Sequence, residues 1–194
     1  MTEIRSLCLY CGSAEGRNAL FRDAAAEFGA LLAEHGIRLV YGGGHVGLMG
    51  VAADAALAKG GTVVGVIPQF LIDAESGHRG VTELVVVSSM HERKQRMFEL
   101  ADGFVILPGG LGTLDEMIEI VTWKQLGLHD KPIVLLDIDG YWGTLIGLIE
   151  KVIAAGFAKP AVTGLFTAVR SVAEVLPAMA AAAPARIRAV PGRI

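Results

Sequence analysis

The feature that most restricts the fold of this chain is an alternation. Short, continuously apolar runs rich in β-branched residues occur at 5–11 (RSLCLYC), 37–41 (IRLVY), 62–67 (TVVGVI), 83–88 (ELVVVS), 103–108 (GFVILP) and 132–137 (PIVLLD). Between them lie longer stretches with helical periodicity, at 18–36, 47–60, 90–101, 113–127 and 141–156. Strands that are apolar along their whole length are covered on both faces, and helical crossovers achieve this for a parallel sheet. The pattern predicts a single, doubly wound α/β domain with helices on both faces. Such folds bind ligands at the carboxyl ends of the strands.

A further helix is expected at about 171–182, ending a domain that spans 1–183. The tail 184–194 (PARIRAVPGRI), with two prolines and three arginines, reads as a frayed, flexible terminus. Residues 68–82 (PQFLIDAESGHRGVT) read as one long loop, and loops of that length are often functional.

Composition removes several classes. At 194 residues, 53% apolar and 19% charged, the chain can bury one proper core and is not of disordered type. A net charge of −3 argues against a non-specific nucleic-acid binder. No apolar run has the length of a membrane span. The start MTEIRSLCLYCGS lacks a signal-peptide pattern, so a cytoplasmic location is expected, with no membrane partner. The only cysteines, Cys8 and Cys11, lie in a predicted strand. Residues three apart on a strand face opposite sides, so the thiols should not meet as a redox pair. With no other cysteine a zinc site is also disfavoured, and no metal is expected.

Three glycine clusters follow predicted strands: CGSAEG (11–16), YGGGHVGLMG (41–50) and LPGGLGT (107–113). All three should lie on one edge of the sheet. Glycine lets a backbone approach a ligand closely, and the helix that follows offers unpaired N–H groups and a positive dipole end. Together they favour a phosphate. Residues 42–47 (GGGHVG) also fit G-x-G-x-x-G, but they follow the second strand, and the next strand ends in GVIPQF with no acid for a ribose. A dinucleotide cofactor is therefore not expected. No G-K-[ST] follows any of the loops, so a P-loop is absent as well.

Two helical segments carry the chemistry. TLDE (113–116) fits a capping box in which Thr113 is the N-cap and Glu116 closes the helix end. The alternative is that Glu116 points into the crevice beside the phosphate loop. On either reading the helix dipole is expected to favour its ionised form. Asp115, Glu119 and Thr122 share the polar side of that helix. In SSMHERKQRMFELA (88–101), Ser89 reads as an N-cap with Glu92 at the capping-box position. Arg93 and Lys94 then flank the apolar stripe of Met90, Met97, Leu100 and Ala101. Cations there either snorkel to water or pair with an anion, a phosphate or Glu116 itself. One suitable chemistry is cleavage of a nucleotide's N-glycosidic bond, whose oxocarbenium-like transition state a carboxylate stabilises.

PGGLGTLDE (108–116) and MHERK (90–94) match P-G-G-x-G-T-x-x-E and M-x-x-R-K. With CGS, YGGGHVGLMG and TWKQLGLHDKP, the sequence over about 4–180 resembles the Lonely Guy family of cytokinin riboside 5′-monophosphate phosphoribohydrolases, which older naming called lysine decarboxylases. The resemblance implies a Rossmann-like fold, a homodimer, and hydrolysis of an adenosine-type 5′-monophosphate to free base and ribose 5-phosphate, without a cofactor. It implies catalytic roles for Arg93 and Glu116. It implies substrate contacts from Lys94, Gly109, Gly110, Gly112, Thr113 and Thr122, and more loosely from Glu75. The neighbouring loop positions Gly12, Ser13, Gly43, Gly44, Met90, Pro108 and Leu111 complete the expected site. No lysine stands in a pyridoxal-phosphate setting, so decarboxylation finds no support. A nucleotide or molybdenum-cofactor carrier of the same fold is the alternative.

Overall fold

The computed structural model describes residues 4–75 and 77–182. The elements run β1 (Ser6–Tyr10), α1 (Ala19–Glu34), β2 (Arg38–Tyr41), α2 (Gly47–Ala58), β3 (Val63–Pro68), α3 (Gln69–Glu75), β4 (Glu83–Val87), α4 (Met90–Leu100), β5 (Gly103–Ile106), α5 (Leu111–Gln125), β6 (Ile133–Leu136), α6 (Gly143–Ala154), β7 (Thr167–Val169) and α7 (Val175–Ala181). The seven strands form one sheet in the order β4-β3-β2-β1-β5-β6-β7, and every adjacent pair is parallel. This is a doubly wound, Rossmann-like α/β fold. The winding direction reverses between β1 and β5, and a crevice forms outside the carboxyl ends of strands at such a point.

Alternation along the strands divides the core. Leu7, Leu9, Leu39, Tyr41, Val105 and Val134 face α1, α2 and α7. Cys8, Tyr10, Val40, Phe104, Ile106 and Leu135 face α4, α5 and α6. Cys8 and Cys11 are both buried, both free, and in opposite layers, as their spacing predicts. Gly29 brings α1 onto the backbone of α2, since a Cβ there would run into the Ala52 carbonyl.

Three expectations are corrected. Residues 68–82 are not one loop: Pro68 ends β3 and Gln69–Glu75 form α3. A seventh strand, Thr167–Val169, pairs with β6; with three residues, two of them exposed, it carries no apolar run. The helix expected at 171–182 opens with a separate 3-10 turn, Val172–Glu174, capped by Ser171, before α7. The 184–194 tail lies outside the described residues. Among the described residues no helix is long and apolar enough to cross a membrane.

Candidate active site

The turns after β1, β2 and β5 meet at the switch point. Gly12 N–H donates to the Pro108 carbonyl at 3.0 Å, and Leu48 N–H donates to the Gly12 carbonyl at 3.1 Å. A Cβ on Gly12 would lie 2.8 Å from the Ala14 carbonyl in its own turn, and one on Gly47 would collide with the Ser13 backbone. Glycine is thus required where the turns pack backbone to backbone. They enclose a cleft of about 200 Å³, lined by Ser13, Gly42, Met49, Met90, Arg93, Gly110, Gly112, Thr113, Asp115 and Glu116, among others.

The capping-box reading of TLDE is overturned. The N-cap of α5 is Gly110, with no side-chain cap, and the helix starts at Leu111. Its first i→i−4 bond runs from Leu114 N–H to the Gly110 carbonyl, so the amides of Leu111, Gly112 and Thr113 have no intrahelical acceptor. Thr113 is buried in the first turn, and its Oγ1 packs against Gly109. Glu116 falls one turn further on and is buried, 8% exposed, in the wall of the cleft. Burial pushes its carboxyl up to about 7, against the opposing pull of Arg93. The expectation of a readily ionised Glu116 is therefore also corrected: loss of water outweighs the dipole, which acts mainly within the first turn.

Arg93 reaches the cleft from the first turn of α4. Ser89 caps that helix by accepting from Glu92 N–H at 3.1 Å. Glu92 does not reach back to Ser89, as a capping box would require. Its carboxylate instead takes the Ser88 N–H and hydroxyl, both at 2.7 Å. Arg93 does not snorkel: it is 6% exposed. Its Nε donates to the Val66 carbonyl at 3.2 Å and its Nη2 to the Gly42 carbonyl at 2.9 Å. One backbone carbonyl inside β3 and one just past β2 thus fix the guanidinium, leaving the Nη1 edge beside Met90 Sδ at 3.9 Å. A Cβ on Gly42 would collide with Nη2.

Lys94 points the other way, onto α5, where its Nζ lies 3.1 Å from both Asp115 and Glu119. Partial burial works against its charge, but those two hydrogen bonds outweigh it and hold the ammonium above its usual range. Met90, Ser13 and Leu111 line the cleft with Arg93 and Glu116. Gly43 and Gly44 instead anchor the segment after α3: the Gly43 carbonyl accepts from His78 N–H at 3.0 Å, and Gly44 bridges to Gly77. Thr122 is exposed, two turns along α5 from the cleft. Glu75 ends α3, and its side chain lies outside the described residues. Sequence reasoning missed Leu9, Cys11, Met49 and Met97 in the cleft lining. They are apolar residues whose spacing marks them only as core.

His45, Asp54 and His78 bring three possible ligand atoms within 4.8 Å of one another. They fit a metal poorly. His78 Nδ1 accepts from Gly80 N–H at 3.1 Å, so its Nε2 carries the proton and donates to Asp54 at 2.8 Å. A metal on Nε2 would force a proton onto Nδ1, against the Gly80 donor.

Comparison with known proteins agrees with these motifs. The family model described as "Possible lysine decarboxylase" matches residues 49–179. A protein of Oryza sativa subsp. japonica, named probable cytokinin riboside 5′-monophosphate phosphoribohydrolase, is 50% identical over 153 residues, covering 79% of this chain and 69% of that protein. A cytokinin riboside 5′-monophosphate phosphoribohydrolase of Arabidopsis thaliana is 39% identical over 187 residues, covering 96% of this chain and 87% of the other. Among solved structures, the molybdenum cofactor carrier protein of Chlamydomonas reinhardtii shares the fold, with a TM-score of 0.71 at 22% identity over 93% of this chain and 98% of that one. Matched through both its cleft motifs and nearly its whole length, the chain belongs to the Lonely Guy family, that of the cytokinin riboside 5′-monophosphate phosphoribohydrolases.

Proposed function

We propose that this protein hydrolyses the N-glycosidic bond of an adenosine-type, cytokinin riboside 5′-monophosphate, releasing free base and ribose 5-phosphate. The observation that carries this reading is Glu116: a buried carboxyl, poised at about 7, in one cleft with a fixed guanidinium and the open amides of α5. The phosphate docks on the Leu111, Gly112 and Thr113 amides at the helix N-terminus. The sugar lies over Glu116, and the base extends past Met90. As the bond from C1′ to the base breaks, ionised Glu116 stabilises the cationic sugar and orients the attacking water. The water hydroxyl ends on C1′ and its other hydrogen on the base nitrogen. Arg93 donates through Nη1 to the substrate. Lys94 acts from α4, holding Asp115 and Glu119 of α5.

The test is to incubate the protein with AMP and N6-prenylated AMP and follow base release by chromatography. The wild type is expected to release base, and Glu116→Gln to lose roughly 100-fold or more of the rate with the fold intact. Tight binding without turnover would instead identify a carrier.

We further propose a cytoplasmic homodimer. The two free thiols suit a reducing compartment. Helix α6 (GTLIGLIEKVIA) buries none of its residues completely. Leu148, Val152 and Phe157 are exposed there, as is Ile118 on α5, and such apolar surface marks a contact face.

A further inference from the structure

The anion-binding turn at 108–113 works only if its carbonyl oxygens are kept out of the cleft. Two carbonyls flank Gly109, and each has a donor. That of Pro108 accepts from Gly12 N–H at 3.0 Å. That of Gly109 accepts from the Tyr141 hydroxyl at 2.6 Å. In a trans peptide C=O and N–H point in opposite directions, so the bond to Tyr141 turns the Gly110 N–H away from Tyr141. With glycine on both sides of this peptide unit, little steric resistance opposes a flip. A flip would exchange a donor for an acceptor where an anion must sit.

Tyr141 is itself held in place. Its ring meets Phe21 edge-on at 5.4 Å and Trp142 at 4.8 Å. The turn before it contains Asp139 at φ 55°, the only left-handed non-glycine among the described residues. The Asp139 carboxylate accepts from Asn18 Nδ2 at 2.9 Å, while Asn18 Oδ1 caps α1 at Leu20 N–H, 3.0 Å away. A non-glycine residue persists in that backbone region only where its surroundings hold it. The start of α1, the 138–140 turn and the phosphate turn are thereby linked through one phenol.

We propose that Tyr141 is a positioning residue for the phosphate turn, its hydroxyl locking the Gly109–Gly110 peptide with the N–H available to the substrate's phosphate. The inference rests on the reading of that turn as a phosphate site. Its test uses Tyr141→Phe, which keeps the aromatic contacts and removes only the hydroxyl. Titration calorimetry with ribose 5-phosphate is expected to show binding to the wild type and about fivefold weaker binding to Y141F, the typical effect of one hydrogen bond. With the nucleoside monophosphate, KM should rise by a similar factor and kcat should stay within about twofold. The Gly110 amide resonance should shift in Y141F without ligand, a readout independent of activity. Equal affinity of the two proteins for ribose 5-phosphate, or a loss confined to kcat, overturns the proposal alone. A wild type that binds neither ribose 5-phosphate nor inorganic phosphate overturns the phosphate reading, and the Tyr141 assignment with it.

Discussion

At the scale of single residues, Glu116 makes function and stability oppose each other. Well below pH 4.5 both the folded and the unfolded chain hold its proton, and its burial carries no ionisation penalty. Between about 4.5 and 7 the unfolded chain releases the proton while the folded one keeps it, so stability falls as pH rises. Above 7 the loss levels off at about 3 kcal/mol. Glu116→Gln should therefore melt higher than wild type at pH 8, and the gap should close by pH 4; a gap that does not change with pH would contradict this. The same ionisation predicts that kcat/KM rises with pH toward a plateau above about 7. Asp115 raises the Glu116 carboxyl, so Asp115→Asn should move that limb to lower pH. That Arg93 and Glu116 could meet in one cleft was legible in the sequence, through two motifs, and both line it. Their states were not. Whether a carboxyl sits in the first helical turn or the second, and how much water it loses, depends on where the chain packs.

At the scale of elements, strands and helices were legible because a buried parallel sheet writes itself as continuous apolar runs. The exceptions are instructive. α5 begins at Leu111 rather than after a Thr113 cap: its N-cap is Gly110, which has no side chain to cap with, so the first amides stay without a capping partner. α3 (QFLIDAE) is short, with Phe70, Leu71 and Ile72 consecutive rather than at helical spacing, and β7 is too short to show any period. The β2–α2 turn shows how an element serves a residue outside it. Gly42 offers Arg93 a carbonyl and leaves room for Nη2. Gly42→Ala should displace the guanidinium tip without disturbing the sheet. Kinetics should show a fall in kcat/KM of roughly 10- to 100-fold, with a melting temperature within a few degrees of wild type. Unchanged kinetics would mean that the position of Arg93 is not critical.

At the scale of the whole molecule, the sheet order decides where chemistry happens. Strands β1 and β5 are neighbours in space but lie far apart in sequence, so their turns converge from the two halves of the winding. The two apolar faces of the sheet are covered by helices, yet α6 leaves Leu148 56% exposed and its neighbours Val152 and Phe157 also open. If that face joins two copies, Leu148→Asp should convert a dimer to a monomer in sedimentation velocity; an unchanged sedimentation coefficient would place the interface elsewhere.

The bond from Gly12 to Pro108 has one more consequence. It stitches the turn after β1 to the turn after β5, joining the two halves of the winding at the point where they part. Loosening either turn would therefore loosen the other, although the two lie far apart along the chain.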